Sequence, residues 1–131
     1  MADRPNLEKY KTAIHSTAKA IARSSFGEKR EKFDKISKPK ILSVENNEEI
    51  LEARVLSDSE ALKIKYSDDN ILNKNQPNGT IGRMIYNIAE KIRYEKIGSD
   101  QYKGIKNNIN KFYQKKISES NVHSQNFIAD A

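Results

Sequence analysis

The 131-residue sequence contains no cysteine. That absence removes disulfides, thiolate zinc sites and cysteine nucleophiles together, and it fits a reducing compartment. Apolar residues are scarce as well. Only 36% of the chain is hydrophobic and the mean hydropathy is -0.85, so apolar groups must be concentrated on one face of each helix around one modest core. No apolar run approaches the roughly 20 residues that a membrane span needs, and the opening Met1, Ala2, Asp3, Arg4, Pro5 has no signal-peptide core. The expected location is the cytoplasm.

Several chemistries are missing too. There is no Gly-x-x-x-x-Gly-Lys-Ser/Thr loop for ATP, no Asp-x-Ser-x-Ser pattern of a metal-dependent adhesion site and no Gly-x-Ser-x-Gly nucleophile elbow. His15 and His123 lie in unlike segments and suggest no triad. Asp68, Asp69 and Asn70 lack the alternating carboxylates, mid-loop glycine and closing glutamate of a calcium-binding loop. The expectation is a domain that is not an enzyme by itself and carries no cofactor or metal of its own. A net charge of +6 and a pI near 9.4 invite a nucleic-acid reading. Against it, the lysines are dispersed among 18 acidic residues with no basic run of five, which describes a solvated surface better than a phosphate-binding groove.

The strongest pattern lies in residues 79–114. Ile81, Met84, Ile85, Ile88 and Ile92 share one stripe at about 100° per residue, the spacing of an amphipathic helix. Gly98 is expected to end this helix and Ser99 to cap the next, whose apolar face is Tyr102, Ile105, Ile109, Phe112 and Tyr113. So short a break makes the two helices a hairpin or corner, and the rest of the chain is expected to pack against them.

Before this hairpin, Pro5 and Asn6 open a first helix with Leu7, Tyr10, Ile14, Thr17, Ala18 and Ile21 on its buried face, ending at Ser24, Ser25, Phe26 and Gly27. Residues 28–47 are irregular in pattern and interrupted by Pro39; a hairpin of strands over 32–37 and 40–44, or an ordered loop laid across the helices, both suit them. Asn47 is a plausible cap for the next helix, which carries Leu51, Val55, Leu62 and Tyr66 at helical spacing. Asp58 falls on that apolar stripe and must find a partner among Arg54, Arg83, Arg93 or a capping N–H, because an unpaired buried charge is costly. Glu95 poses the same question on the later stripe. A capped turn over 67–72 and a Pro77, Asn78, Gly79 turn lead into the hairpin. After Lys116, Ser118, Glu119, Ser120 and Asn121 read as a loop. Residues 127–131 look like the first turn of a truncated helix, as in a fragment of a longer product. The expected class is mainly α, one domain over 1–131 with about four principal helices in a small bundle.

Three blocks together resemble a known family. They are Ala20-Ile21-Ala22-Arg23, then 53–63 through Tyr66 and Asp68, then Ile85 to Asn108, where Glu90-x-x-Arg93-x-Glu95-x-x-Gly98 is followed by Gly104 and Asn108. This resembles the amino-terminal region of CobT, a subunit of the aerobic, ATP-dependent cobaltochelatase, over roughly residues 7–113. Ser67 stands where that family often has histidine, and Leu56 where it has alanine. The resemblance implies an accessory and assembly role in inserting cobalt into a corrin ring, beside an AAA+ ATPase subunit and a large chelatase subunit. ATP, magnesium and cobalt are then implied for the complex only, and an acidic linker and a von Willebrand factor A-like domain for the longer protein. Asp58, Glu90, Arg93, Tyr94, Glu95, Gly98, Gly104 and Asn108 become the motif positions. Gly98 is expected to stop a helix and Gly104 to permit close helix packing. Arg93 is expected to be bracketed by Glu90 and Glu95, unless Glu90, Arg93 and Tyr94 form a partner-binding face. Rival readings are an AAA+ adaptor with a non-cobalt client and a small basic nucleic-acid-binding protein.

Overall fold

Long runs without proline or clustered glycine give this chain its helices. The computed structural model describes residues 3–23, 36–43 and 45–129. In order, the described helices are α1 (Asp3–Arg23), α2 (Asn47–Tyr66), α3 (Asp69–Lys74), α4 (Thr80–Gln101) and α5 (Lys103–Ala129). Four are long, as expected, and α3 is one short turn. Among the described residues the expected hairpin is absent. No strand occurs among the described residues, and 36–43 run as irregular chain with Ile36 and Ile41 buried. The remainder of the expected hairpin, 32–35 and Val44, lies outside the described residues.

The hub is α2, with α1, α4 and α5 all packed on it and α4 and α5 packed on each other. The sequence pointed instead to 79–114. The reason is that α2 is buried on nearly every side, through Ala53, Val55, Ser57, Ser59, Ala61, Leu62 and Ile64, so small and polar residues dilute its apolar stripe. A helix buried all round shows little amphipathic contrast. Asn46, one residue before the expected cap, starts it: its Oδ1 accepts from the N–H groups of Glu48 at 3.1 Å and Glu49 at 3.2 Å. The main core joins Ala18, Ile21 and Ala22 of α1 to Val55 and Leu62 of α2, Tyr94 of α4 and Ile105 and Ile109 of α5. A smaller cluster of Ile14, Ile41 and Ala53 seats residues 36–43 against α1 and α2.

Three further expectations need correction. First, α4 runs through Gly98 to Gln101, and the break falls at Tyr102, one extended residue at φ -128°, ψ 108°. Tertiary anchoring fixes that break: Lys65 of α2 donates to the Tyr102 hydroxyl at 2.8 Å and sits over its ring. Second, α5 continues unbroken through 118–121 to Ala129. Those residues are polar but include neither glycine nor proline, so nothing in them stops a helix. Third, the apolar stripe of early α4 faces outward: Ile81, Met84, Ile85, Ile88 and Ile92 are each 56–75% exposed. The opposite, polar side of α4 holds it to the domain. Arg83 Nε donates to the Pro77 carbonyl at 3.0 Å and the Tyr86 hydroxyl to the Leu72 carbonyl at 3.1 Å.

Candidate functional site

The motif residues on α4 fall on its anchored side and make two polar seams. At the outer seam Glu90 accepts from Arg93, at 2.8 Å from Nε and 2.7 Å from a terminal guanidinium nitrogen. The same guanidinium donates to the Tyr66 carbonyl at 2.6 Å, one of the last carbonyls of α2, which has no partner within its own helix. Buried Ser67, just past that end, donates to Glu90 as well. The arrangement ties the C-terminus of α2 to the middle of α4 with charge-assisted bonds, the stronger kind. Hydrogen bonding to Arg93 chiefly, with Ser67 helping, holds the Glu90 carboxyl down at about 2, and the Arg93 guanidinium is pushed up by the same contact. Ser67 fills the place where histidine was expected and serves as a neutral donor.

The inner seam centres on Glu95, which is 5% exposed. Ser59 of α2 donates to one carboxylate oxygen at 2.6 Å and Tyr113 of α5 to the other at 2.8 Å. Lys91, one turn back, lies 4.0 Å away. One carboxylate therefore joins three helices, and each of its oxygens is satisfied, which a buried charge requires. Burial first, then the bond to Glu95, pushes the Tyr113 hydroxyl well above the usual tyrosine range, so it stays a donor. Arg93 is thus not bracketed by two glutamates. It pairs with Glu90, and Glu95 belongs to a different seam.

Asp58 finds the first of its expected partners. Arg54, one turn earlier on α2, donates from Nε at 2.9 Å to Oδ2. Asp58 is only 1% exposed and Oδ1 has no hydrogen-bond partner. Burial outweighs the help from Arg54 and pushes its carboxyl up. Gly98 has a packing role: a Cβ built there would lie 2.4 Å and 2.5 Å from the two methyls of Leu62 and 2.9 Å from its Cγ. At Gly104 the expectation of close packing fails, because nothing lies within 4 Å of such an atom. Gly104 instead lines an open groove of about 290 Å³ with Thr17, Arg54 and Tyr102.

Tyr94 turns into the core at 7% exposure while Arg93 remains half exposed, so the two do not share a surface. Asn108 lies half-buried on α5 between Ile105 and Ile109 and takes part in none of the hydrogen bonds of either seam. Ser59, Ser67, Tyr113 and Leu62 are partners that no local sequence signal marks. Each stands 18 to 36 positions from the motif residue it meets, a separation that helical periodicity does not connect. Among the described residues, no three histidine, cysteine, aspartate or glutamate side chains gather as a set that could hold a metal ion. No described helix is long and apolar enough to cross a membrane.

Fold and seams together define a helical framework domain whose polar motif residues lock three helices at fixed positions. A family model described as cobalamin biosynthesis protein CobT matches residues 4–131, and the chain belongs to that family. No curated protein and no solved structure matches it. Membership ties the chain to cobalamin biosynthesis and to the cobaltochelatase context.

Proposed function

We infer that this chain is an accessory and assembly domain of a CobT-like chelatase subunit, supporting ATP-dependent insertion of cobalt into a corrin ring. The observation that carries the reading is how the motif side chains are used. Glu90 is engaged by Arg93 and Ser67, Glu95 by Ser59 and Tyr113, Asp58 by Arg54, and the space above Gly98 by Leu62. Groups committed to one another in this way hold a frame rigid, and a rigid frame is what a subunit needs to pass a conformational change from one neighbour to the next. In this reading an AAA+ ATPase supplies the force, with ATP and magnesium, and a large subunit carries the tetrapyrrole. Cobalt is substrate, and no insertion step is assigned to this chain's side chains.

A pull-down from native lysate in the presence of ATP, with this chain as bait and partners identified by mass spectrometry, tests the proposal. Recovery of an AAA+ ATPase together with a large chelatase subunit is expected. Recovery of nucleic acid alone, or of an ATPase with an unrelated client, overturns it. Arg93→Ala refines the result, because Arg93 is the motif side chain that is still half exposed. Normal melting with lost ATPase association makes the Glu90–Arg93 edge an interface. Loss of both makes it purely structural.

A further inference from the structure

The outward face of early α4 inverts ordinary helix packing. An amphipathic helix normally buries its apolar stripe and leaves its polar side in water. Here the polar side is held by Pro77, Leu72, Tyr66 and Ser67, and five large aliphatic side chains are left open. Together they expose on the order of 600 Å², the upper limit of what a monomer usually leaves as one apolar patch.

Their spacing identifies an occupant. Ile81, Ile85, Ile88 and Ile92 are separated by four, three and four residues, the seam of a coiled coil over nearly two heptads. The series reads the same in both directions, so it is self-complementary about a two-fold axis. Antiparallel pairing places Ile81 against Ile92 of a second copy and Ile85 against its Ile88. On the flank, Met84 meets the stem of Lys91, and no like charges oppose. Parallel pairing would instead bring Lys91 of one copy against Lys96 of the other along both flanks. Complete covering of the stripe in two copies would remove at most about 1,200 Å² from water, the lower bound for a specific interface.

We propose that α4 is a homodimerisation helix, pairing antiparallel with α4 of a second copy through Ile81, Ile85, Ile88 and Ile92. The proposal stands independently of the chelatase reading, since it concerns only this chain with itself.

Sedimentation equilibrium of the purified 131-residue chain, from about 1 to about 200 µM, tests it. A monomer–dimer equilibrium is expected, and Ile85→Glu should raise the dissociation constant at least about 100-fold. Ile85 is exposed in the single chain, so this variant should keep its helical circular dichroism and should melt like the parent at concentrations where the parent is monomeric. Because the chain is free of cysteine, register can be read directly. Met84→Cys with Lys91→Cys in one chain should close interchain disulfides under mild oxidation, and neither single variant should. A chain that stays monomeric at the highest concentration, a dimer indifferent to Ile85→Glu, or cross-linking by a single variant each overturns the proposal. A monomer that is nevertheless captured by another protein through the same stripe overturns it in favour of a foreign partner.

Discussion

Substituting Gly98 by alanine sets two physical effects against each other. In an open helix interior the change is favourable by about 1 kcal/mol, because alanine loses less backbone entropy than glycine. At this position the new methyl would lie within 2.9 Å of three carbon atoms of Leu62, a side chain that is fully buried. Leu62 cannot swing into solvent, so α2 and α4 must separate or Leu62 must leave its rotamer, a form of overpacking that costs typically 1–3 kcal/mol. The stronger clash, reaching as far as Cγ, places the expected cost toward the upper end, and the net effect of Gly98→Ala is a loss of about 1–2 kcal/mol. Leu62→Ala alone should cost about 2–5 kcal/mol by opening a cavity. In the double variant the added methyl occupies part of that cavity, so its total cost should fall short of the sum of the singles by at least about 1 kcal/mol. Urea unfolding followed by circular dichroism gives all three values. Additive losses, or a Gly98→Ala variant more stable than the parent, would refute the close approach of α4 to Leu62.

The outer seam makes stability depend on acid. The folded Glu90 carboxyl is held at about 2, against 4.5 when unpaired, so the folded state binds fewer protons between those values. Its contribution is complete above about pH 4.5 and is lost as pH falls toward about 2; because Arg93 is half exposed, the contribution is about 1–2 kcal/mol after screening. Glu90→Gln should flatten the acid limb of a melting-temperature profile in that window, whereas an unchanged limb would contradict the assignment. Tyr113→Phe deletes the donor to a buried carboxylate and should cost about 1.5–3 kcal/mol in chemical unfolding, with helix content retained. Arg54→Ala leaves Asp58 buried without its cation and should cost about 3 kcal/mol near neutral pH. That loss should shrink on acidification, because the raised Asp58 carboxyl takes up a proton in the folded state first; a pH-independent loss would exclude this origin.

The helices were legible where apolar periodicity matched burial, as with Ile14, Ala18 and Ile21 of α1. They were misjudged where tertiary structure overrode local signals. Gly98 looked like a helix stop because glycine commonly is one, yet Leu62 of another helix requires it there. Tyr102 gave no local sign of a break, since its position depends on Lys65, 37 residues earlier. The stripe from Ile81 to Ile92 reads as a helix face and is one, but it lies open instead of buried, because periodicity reports that a face is apolar and not what covers it. Among the site residues, Asp58 and Glu95 are legible in the sequence as charges in need of partners. Arg54 could be named because it lies one helical turn away, whereas Ser59 and Tyr113 arrive only through the crossing of α2, α4 and α5.

The most direct test of the assembly role is sedimentation velocity of the purified chain mixed with the AAA+ ATPase subunit of the chelatase, with and without ATP. The account predicts that the chain moves into a faster-sedimenting species with the ATPase, and that the fraction bound changes with nucleotide. Separate sedimentation of the two proteins at tens of micromolar, about 20–50 µM, in either nucleotide state would contradict it.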